Sequence, residues 1–355
     1  MTAPGTLVLA ALLLSSAQSP ADAAALRARG VELSFNLDHA DALIAFRDAI
    51  KADPDHLAGY RLLTAALWAD ALFKNGAITA DDFTGETRTA FQSRRATSDL
   101  EHAAADLRRR VDALSNSRRG TSQADAETAY QIGAAYRLLS ALAGSIRGSQ
   151  FSSLGAARRA YQEHQRVLTV DRHHADARLT VGLYRYFISR MPAWSRLFAV
   201  VAGLDSDRDG GLRLVEQAAA SDGPAQANAL LTLIVIYNQQ ARYEDALAVI
   251  RRLQQKFPRN RLLWLEAATT QLRAGRAAEA RESIEHGLRM LHDDPRPRAF
   301  GELGRWRYHY GVSLAALQQT PAAKEQFTAV LQGESLDWVR DNARLELARL
   351  SSGRK

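Results

Sequence analysis

Between Gln226 and His292 the sequence repeats itself at helical spacing, and this limits the fold more than any other feature of the chain. Leu230, Leu233 and Tyr237 fall on one face of a first helix, and Ala246, Ile250 and Leu253 on one face of a second, which Pro258 closes. A second pair follows at once in Leu263–Leu272 and Ala277–Leu288. Steps of three and four residues are the helical signal. Ala280 stands 34 residues after Ala246, and each is a small residue where the two helices of a pair must cross closely. A helical hairpin of this size leaves an apolar face bare, so neighbouring hairpins must stack into a solenoid.

These offsets resemble the tetratricopeptide repeat, a 34-residue helical hairpin with Ala, Phe and Pro at set positions. Gly30, Ala42, Phe46, Ala49 and Pro54 match the same pattern near the start of the chain. The run Gly182-Leu-Tyr-Arg-Tyr-Phe187, Met191-Pro192, Leu204 to Leu212, Tyr243-Glu-Asp-Ala-Leu247 and Phe257-Pro-Arg-Asn260 carries a closer likeness. It is similar to bacterial tetratricopeptide-repeat proteins related to the eukaryotic outer-membrane and inclusion-clearance family of such repeats. The likeness spans Ala24 to Gln332 in outline and is sharpest over Ala175–Asn260. It implies an all-α solenoid with lengthened and inserted helices, and a non-enzymatic scaffold that binds protein or peptide on its concave face.

Composition agrees with an all-helical chain: 46% of the 355 residues are hydrophobic and only 9 are Pro. The formal charge is +7, yet only five of the 46 basic residues are Lys, and they are interspersed with acids instead of gathered in a stripe. Nucleic-acid binding needs a clustered basic footprint, so that class is set aside. With no Cys, disulfides, thiolate metal sites and a Cys nucleophile are excluded.

Residues 1–23 read as a secretory signal: an apolar run at Leu7–Leu14 precedes a small-x-small site at Ala21-Asp-Ala23, although the leading residues lack Lys and Arg. The predicted location is therefore the periplasm or cell envelope of a bacterium, with an uncleaved N-terminal helix as the competing reading. Residues 24–74 form an N-terminal repeat. In 75–125 the turn signals Asn75-Gly76 and Thr84-Gly85 lead into a charged helical pattern over Thr87–Leu114 and a loop at Ser115–Gly120, read as one lengthened hairpin. Residues 126–225 hold irregular repeats around Gly133 and Gly182, with an inserted apolar helix at Trp194–Leu204. Regular repeats occupy 226–335, and 336–355 make a capping helix and tail.

Few stretches carry chemistry. Asp205, Asp207, Asp209, Gly210 and Glu216 satisfy the calcium-loop pattern, but Arg213 and Gly211 depart from it. The competing reading is an acidic turn in which Asp207 or Asp209 caps a helix at Gly211. Adjacent His173 and His174 point in different directions and suit a polar turn better than a metal. His164 and His309 read as core histidines. The nucleophile-elbow, zincin and phosphate-loop motifs are absent, and no cofactor is expected. Trp194–Leu204 reads as a packing helix, or as a surface-lying one with Arg196 snorkelling at a membrane.

With the register set by Ala246, the partner-facing positions are Leu231, Val235, Asn238 and Gln239, and in the hairpin opening at Ala175 they are Leu179, Leu183, Tyr186 and Phe187. This apolar, aromatic strip with a few amides suits an extended or helical apolar segment of an envelope protein. It lacks the Lys and Arg needed to clamp a C-terminal carboxylate. The alternative is that Trp194–Leu204 folds back and fills it. A second functional class is a calcium-dependent or membrane-surface-attached regulator using residues 205–216 or 194–204.

Overall fold

The computed structural model describes residues 20–83, 97–117, 125–146, 150–201 and 203–352. Among them are sixteen α-helices: α1 (Pro20–Phe35), α2 (His39–Ala52), α3 (Leu57–Lys74), α4 (Ser98–Ser117), α5 (Ala126–Ile146), α6 (Gln150–Val170), α7 (Ala175–Ser189), α8 (Ala193–Val201), α9 (Arg208–Ala220), α10 (Pro224–Gln239), α11 (Tyr243–Lys256), α12 (Leu262–Arg273), α13 (Ala277–Asp293), α14 (Glu302–Ala316), α15 (Thr320–Gln332) and α16 (Asp337–Ser352). They pair as α1/α2, α3/α4, α5/α6, α7/α9, α10/α11, α12/α13 and α14/α15, with α16 closing the last hairpin. The expected all-α solenoid is what forms. First helices also pack on first helices (α3 on α5, α7 on α10, α12 on α14), so they make the inner layer and their partners the outer one.

The crossings explain why small residues recur. Ala42, Ala246, Ala280 and Ala323 are fully buried. A Cβ on Gly30 would lie 2.5 Å from the Phe46 ring, and one on Gly311 would lie 2.6 Å from that of Phe327. In the longer middle hairpin the same place opposite Gly133 is taken by His164, whose Nδ1 donates to Ala160 O at 2.7 Å. Burial drives the His164 pKa down to about 3, against the raising effect of that hydrogen bond. His309 is likewise lowered to about 3, first by burial and then by the nearby Arg305 and Arg273 charges. Both histidines are neutral packing groups, as expected.

One turn recurs between first and second helices. Leu37, Ala241, Gly275 and Gln318 each adopt a left-handed conformation two residues before the second helix begins. In each, the next amide reaches back to a carbonyl five residues earlier at 2.9 Å (Asp38 to Leu33, Arg242 to Tyr237, Arg276 to Gln271, Gln319 to Leu314). This is the Schellman ending of a helix. Gly76 makes the same turn at φ +84, with Ala77 N donating to Leu72 O at 2.9 Å. After Gly76, however, no helix follows: residues 77–79 are irregular and Ala80–Phe83 form a single 3-10 turn.

That departure revises the division at residue 75. Helix α4 packs against α3 and α5, so α3 belongs to the second hairpin and not to a unit ending at 74. Helix α4 also continues through Ser117, two residues into the expected Ser115–Gly120 loop; residues 118–120 and the Thr84-Gly85 turn lie outside the described residues. Most of the expected signal, residues 1–19, lies outside them as well. Its proposed cleavage site falls in the first turn of α1, where Ala23 is buried.

The first hairpin meets the later repeats of the chain. Phe35 at the tip of the first hairpin stacks on Phe257, with centroids 4.7 Å apart and rings 16° from parallel. Asn260 Nδ2 donates to Phe35 O at 2.7 Å, and Arg259 N donates to Asn36 Oδ1 at 3.2 Å. Asp38 pairs with Arg259 and, at 2.9 Å, with Arg296. Arg296 in turn holds Asp294 at 2.7 Å, and Asp294 takes a 2.6 Å contact from Arg261, which also forks onto Glu302 at 2.7 and 2.9 Å. Burial alone would raise the Asp294 pKa; hydrogen bonds and charge from Arg296, with Arg261 behind it, outweigh that and hold it down to about 2.

Candidate partner-binding surface

The inner helices α7 and α10 carry all eight positions expected to face a partner, but the structure divides them. Leu179 and Tyr186 are buried in the core formed by α7, α9, α10 and α11. They are not partner-facing, and the crossing of α7 with α9 is the reason. Gly182 and Gly211 face each other so closely that a Cβ on the first would meet Gly211 O at 2.6 Å and one on the second would meet Tyr186 N at 2.7 Å. The hairpin contact pulls Tyr186 inward, where its ring meets Phe187 edge-on and its hydroxyl accepts from Gln240 Nε2 at 3.2 Å. Spacing of three and four residues shows that these positions share a face; it does not say whether that face meets a partner or the second helix of the hairpin.

The remaining six stay accessible to differing degrees. Leu183, Phe187, Leu231, Val235 and Asn238 are half-buried, and Gln239 is exposed. Phe187 and Leu231 rest on the same core as Leu179. Asn238 Nδ2 donates to Thr270 Oγ1 at 3.1 Å, tying α10 to α12 and using one of the amide donors expected for a ligand.

Farther along the inner surface, over α10, α12 and α14, the groove is neither open nor filled by residues 194–204. It holds residues 76–82 of the chain itself. Ala80 packs on the α10 core, and its backbone N–H donates to Glu266 on α12. Arg305 on α14 forks onto Asp82 at 2.5 and 3.0 Å, and also donates to Thr79 Oγ1 and Gly76 O, each at 3.1 Å. Asp82 in turn caps its own segment, accepting from the amides of Ile78 and Thr79 at 2.8 Å each. Arg305, Asp82 and Glu266 are all buried. A forked, desolvated guanidinium–carboxylate pair is among the strongest polar contacts a protein makes. Neither partner has a local sequence signal, because 223 positions separate them.

Helix α8 lies elsewhere. Ala199 and the following Leu204 pack with Tyr161, Val181 and Ile188 on the outer side of α7. Leu197, Val200 and Val201 are 64%, 47% and 77% exposed, while Ala199 is buried. No helix among the described residues is long and apolar enough to cross a membrane.

The acidic stretch 205–216 folds as a capped helix. Asp207 Oδ1 accepts from Gly210 N at 2.9 Å, and α9 runs from Arg208. Asp205 pairs with Arg185 at 2.8 Å, while Glu216 accepts from the Tyr237 hydroxyl at 2.9 Å. A calcium loop needs its first nine positions wrapped around the ion. Here the fourth is already helical, which overturns the calcium reading and leaves the cap. The His173–His174 turn is likewise a cap, with His174 Nδ1 accepting from Ala177 N at 3.3 Å.

A family model described as Iml2/Tetratricopeptide repeat protein 39 matches residues 124–300, a span that contains the region where the sequence likeness is sharpest. A comparison with curated proteins finds no match. Among solved structures, a tetratricopeptide repeat protein from Parabacteroides merdae is 13% identical over 91% of this chain and 98% of its own, with a TM-score of 0.36. Yeast Tom70 is 10% identical over 95% and 82% of the two chains, with a TM-score of 0.40. The P58(IPK) tetratricopeptide domain is 15% identical over 94% and 99%, with a TM-score of 0.30. These structural likenesses are loose. Repeats of this class are typically non-catalytic and bind protein or peptide partners. Over residues 124–300 the chain is similar to the Iml2/tetratricopeptide repeat protein 39 family, a likeness that agrees with its all-α solenoid of paired helices.

Proposed function

We propose that the protein is a non-enzymatic scaffold of the bacterial cell envelope that holds an apolar segment of a partner protein along α7 and α10. The observation that carries this reading is the strip of half-buried Leu183, Phe187, Leu231 and Val235, edged by Asn238 and Gln239, on the inner layer of the repeats. Apolar side chains at helical spacing read anchors on an extended or helical ligand, and the nearby amides can fix its register. Export rests on the apolar run and small-x-small site of residues 1–23.

A photo-crosslinking residue placed at Val235 in the native host tests the strip. The expected result is a discrete protein adduct that disappears when Phe187→Asp is added without loss of fold. Absence of adducts at both Val235 and Gln239 would overturn the strip. Export is checked separately: N-terminal sequencing of the envelope fraction should begin near Ala24, and a Met1 start on the abundant cellular species rejects it.

A second reading concerns α8. Its exposed Leu197, Val200 and Val201 stand beside the exposed Arg190 and Arg196, and no acidic residue occurs between Asp176 and Asp205. Apolar surface rimmed by cations suits an anionic membrane face. Co-sedimentation with phosphatidylglycerol vesicles, lost in Leu197→Asp, would favour this second reading; equal pelleting of the two proteins would dismiss it.

A further inference from the structure

Residues 76–82 lie against the first helices of three successive hairpins, the layer in which a scaffold of this architecture receives a peptide. Among the described residues, every side-chain hydrogen bond of Arg305 goes to this segment: to Asp82 twice, to Thr79 and to Gly76. Arg305 is 1% exposed and lies 5.0 Å from the Trp338 ring centroid. Withdrawing the segment would therefore leave a buried cation without a carboxylate, a strongly unfavourable state. The groove demands an occupant, and the chemistry of that occupant is written in the contacts. It must offer a carboxylate to the Arg305 fork, a backbone carbonyl beside it, and a backbone N–H to Glu266. Its apolar contacts are Ile78, buried in the core with Leu265, Ala268 and Trp306, and the methyl of Ala80. Where the segment enters, no side chain fits: a Cβ on Gly76 would come within 2.6 Å of Phe300 O.

The segment is also built unlike the rest of the fold. The Gly76 turn repeats the one that elsewhere starts a second helix, yet the chain leaves it as irregular backbone. It gives the groove one backbone amide and one backbone carbonyl, the polar Asp82 and Thr79 side chains, and the buried Ile78 side chain.

We propose that the α10–α12–α14 groove is a peptide-binding site occupied in cis by residues 76–82, and that its exchange partner is a short turn-forming segment of another protein with an apolar residue at the Ile78 position and an acidic residue two positions after a small one. This rests on the scaffold reading but uses a surface other than the α7–α10 strip. A tethered ligand acts at millimolar effective concentration, so the cis segment keeps weak competitors out and yields to a partner that adds contacts elsewhere. The scaffold is thereby closed by default and selective when open.

The test uses full-length protein with Asp82→Asn, which keeps the side-chain shape and removes the charge, and a synthetic peptide of residues 75–83. The peptide should bind this variant saturably, and at least tenfold more tightly than the same peptide with Asn in place of Asp82. Adding Arg305→Ala should abolish the difference. A folded variant that binds neither peptide overturns the proposal. Should the variant fail to fold, hydrogen exchange on the unaltered protein decides. Amides of Ile78, Thr79 and Ala80 should exchange through an opening that leaves Ala268 on α12 protected; exchange of all four only on global unfolding rejects a displaceable segment. None of these readouts depends on whether a crosslink forms at Val235, so failure here and failure of the α7–α10 strip remain distinguishable.

Discussion

The inner layer has two stretches that obey the same repeat geometry and differ in what covers them. Along α7 and α10 it is apolar and half-exposed, with Leu183, Phe187 and Val235 left to solvent in part. Along α12 and α14 it is charged and buried, with Glu266 and Arg305 satisfied by a segment that precedes them by almost two hundred residues or more. Helical periodicity is equally good in both. The difference lies in a covering that local pattern cannot announce. A buried charge is tolerable only beside its complement, whereas an apolar strip can wait half-covered, so the charged stretch must be filled within the fold and the apolar one need not be.

The harshest way to break this contrast is Asp82→Ala, which strands Arg305 in the groove. A loss of about 3–5 kcal/mol is expected from removing one member of a buried pair. Replacing both members at once, with Arg305→Met and Asp82→Leu, should cost much less, and urea titration of the three proteins compares them. Equal losses would mean that packing, not charge, holds the segment.

The apolar stretch is probed at its support. Gly182→Ala thrusts a methyl at Gly211 O, a backbone atom with no rotamer to yield, and should cost about 1–3 kcal/mol by overpacking. Ala246→Leu, at the next crossing, belongs to the same range. A melting temperature unchanged by either would undo the register on which the two stretches are compared.

A smaller effect comes from acid. Asp294 is ionised in the fold down to about pH 2, against an ordinary value of 3.8. Between those values the unfolded chain takes up a proton that the folded one refuses, so the stability from this contact is full above pH 4 and fades as pH falls toward 2. Asp294→Asn should be less stable at neutral pH and show a shallower decline through that window. Smallest of all, Val235→Lys should shift stability by about 1 kcal/mol or less, as half-exposed positions do. A collapse there would place Val235 in the core and close the apolar stretch too.

Much of this architecture was legible beforehand, and the reason is local. The glycine opposite an aromatic, the alanines at the crossings and the spacing of apolar residues all express contacts within one hairpin, as Gly30 with Phe46 and the burial of Ala246 and Ala280 show. The candidate site was legible in part. Phe187, Leu231 and Val235 lie half-buried on α7 and α10, but the Gly182–Gly211 crossing turns Tyr186 into the core. Arg305 and Asp82 were missed altogether. The one hint was the pair Asn75-Gly76, a helix ending without a second helix behind it. The calcium pattern at 205–216 misled for the opposite reason: an Asp that caps a helix and an Asp that binds an ion look alike until the backbone is known.

The stacked rings of Phe35 and Phe257 have a consequence in time. Stacked-repeat chains ordinarily fold piece by piece, each hairpin settling on the last. Here Phe35 O waits for Asn260, 225 positions later, and Asp38 for Arg296, 258 positions later. Bringing such distant points together costs roughly 5 kcal/mol of chain entropy, recovered only when the contact is made. At ribosomal speeds of about 5–20 residues per second, the first hairpin emerges some ten to fifty seconds before its counterpart. Through that interval the Phe35 ring, the Asp38 carboxylate and the segment around Asp82 stand in water or in the hands of a chaperone. The earliest part of the chain to be made is then the last to be finished.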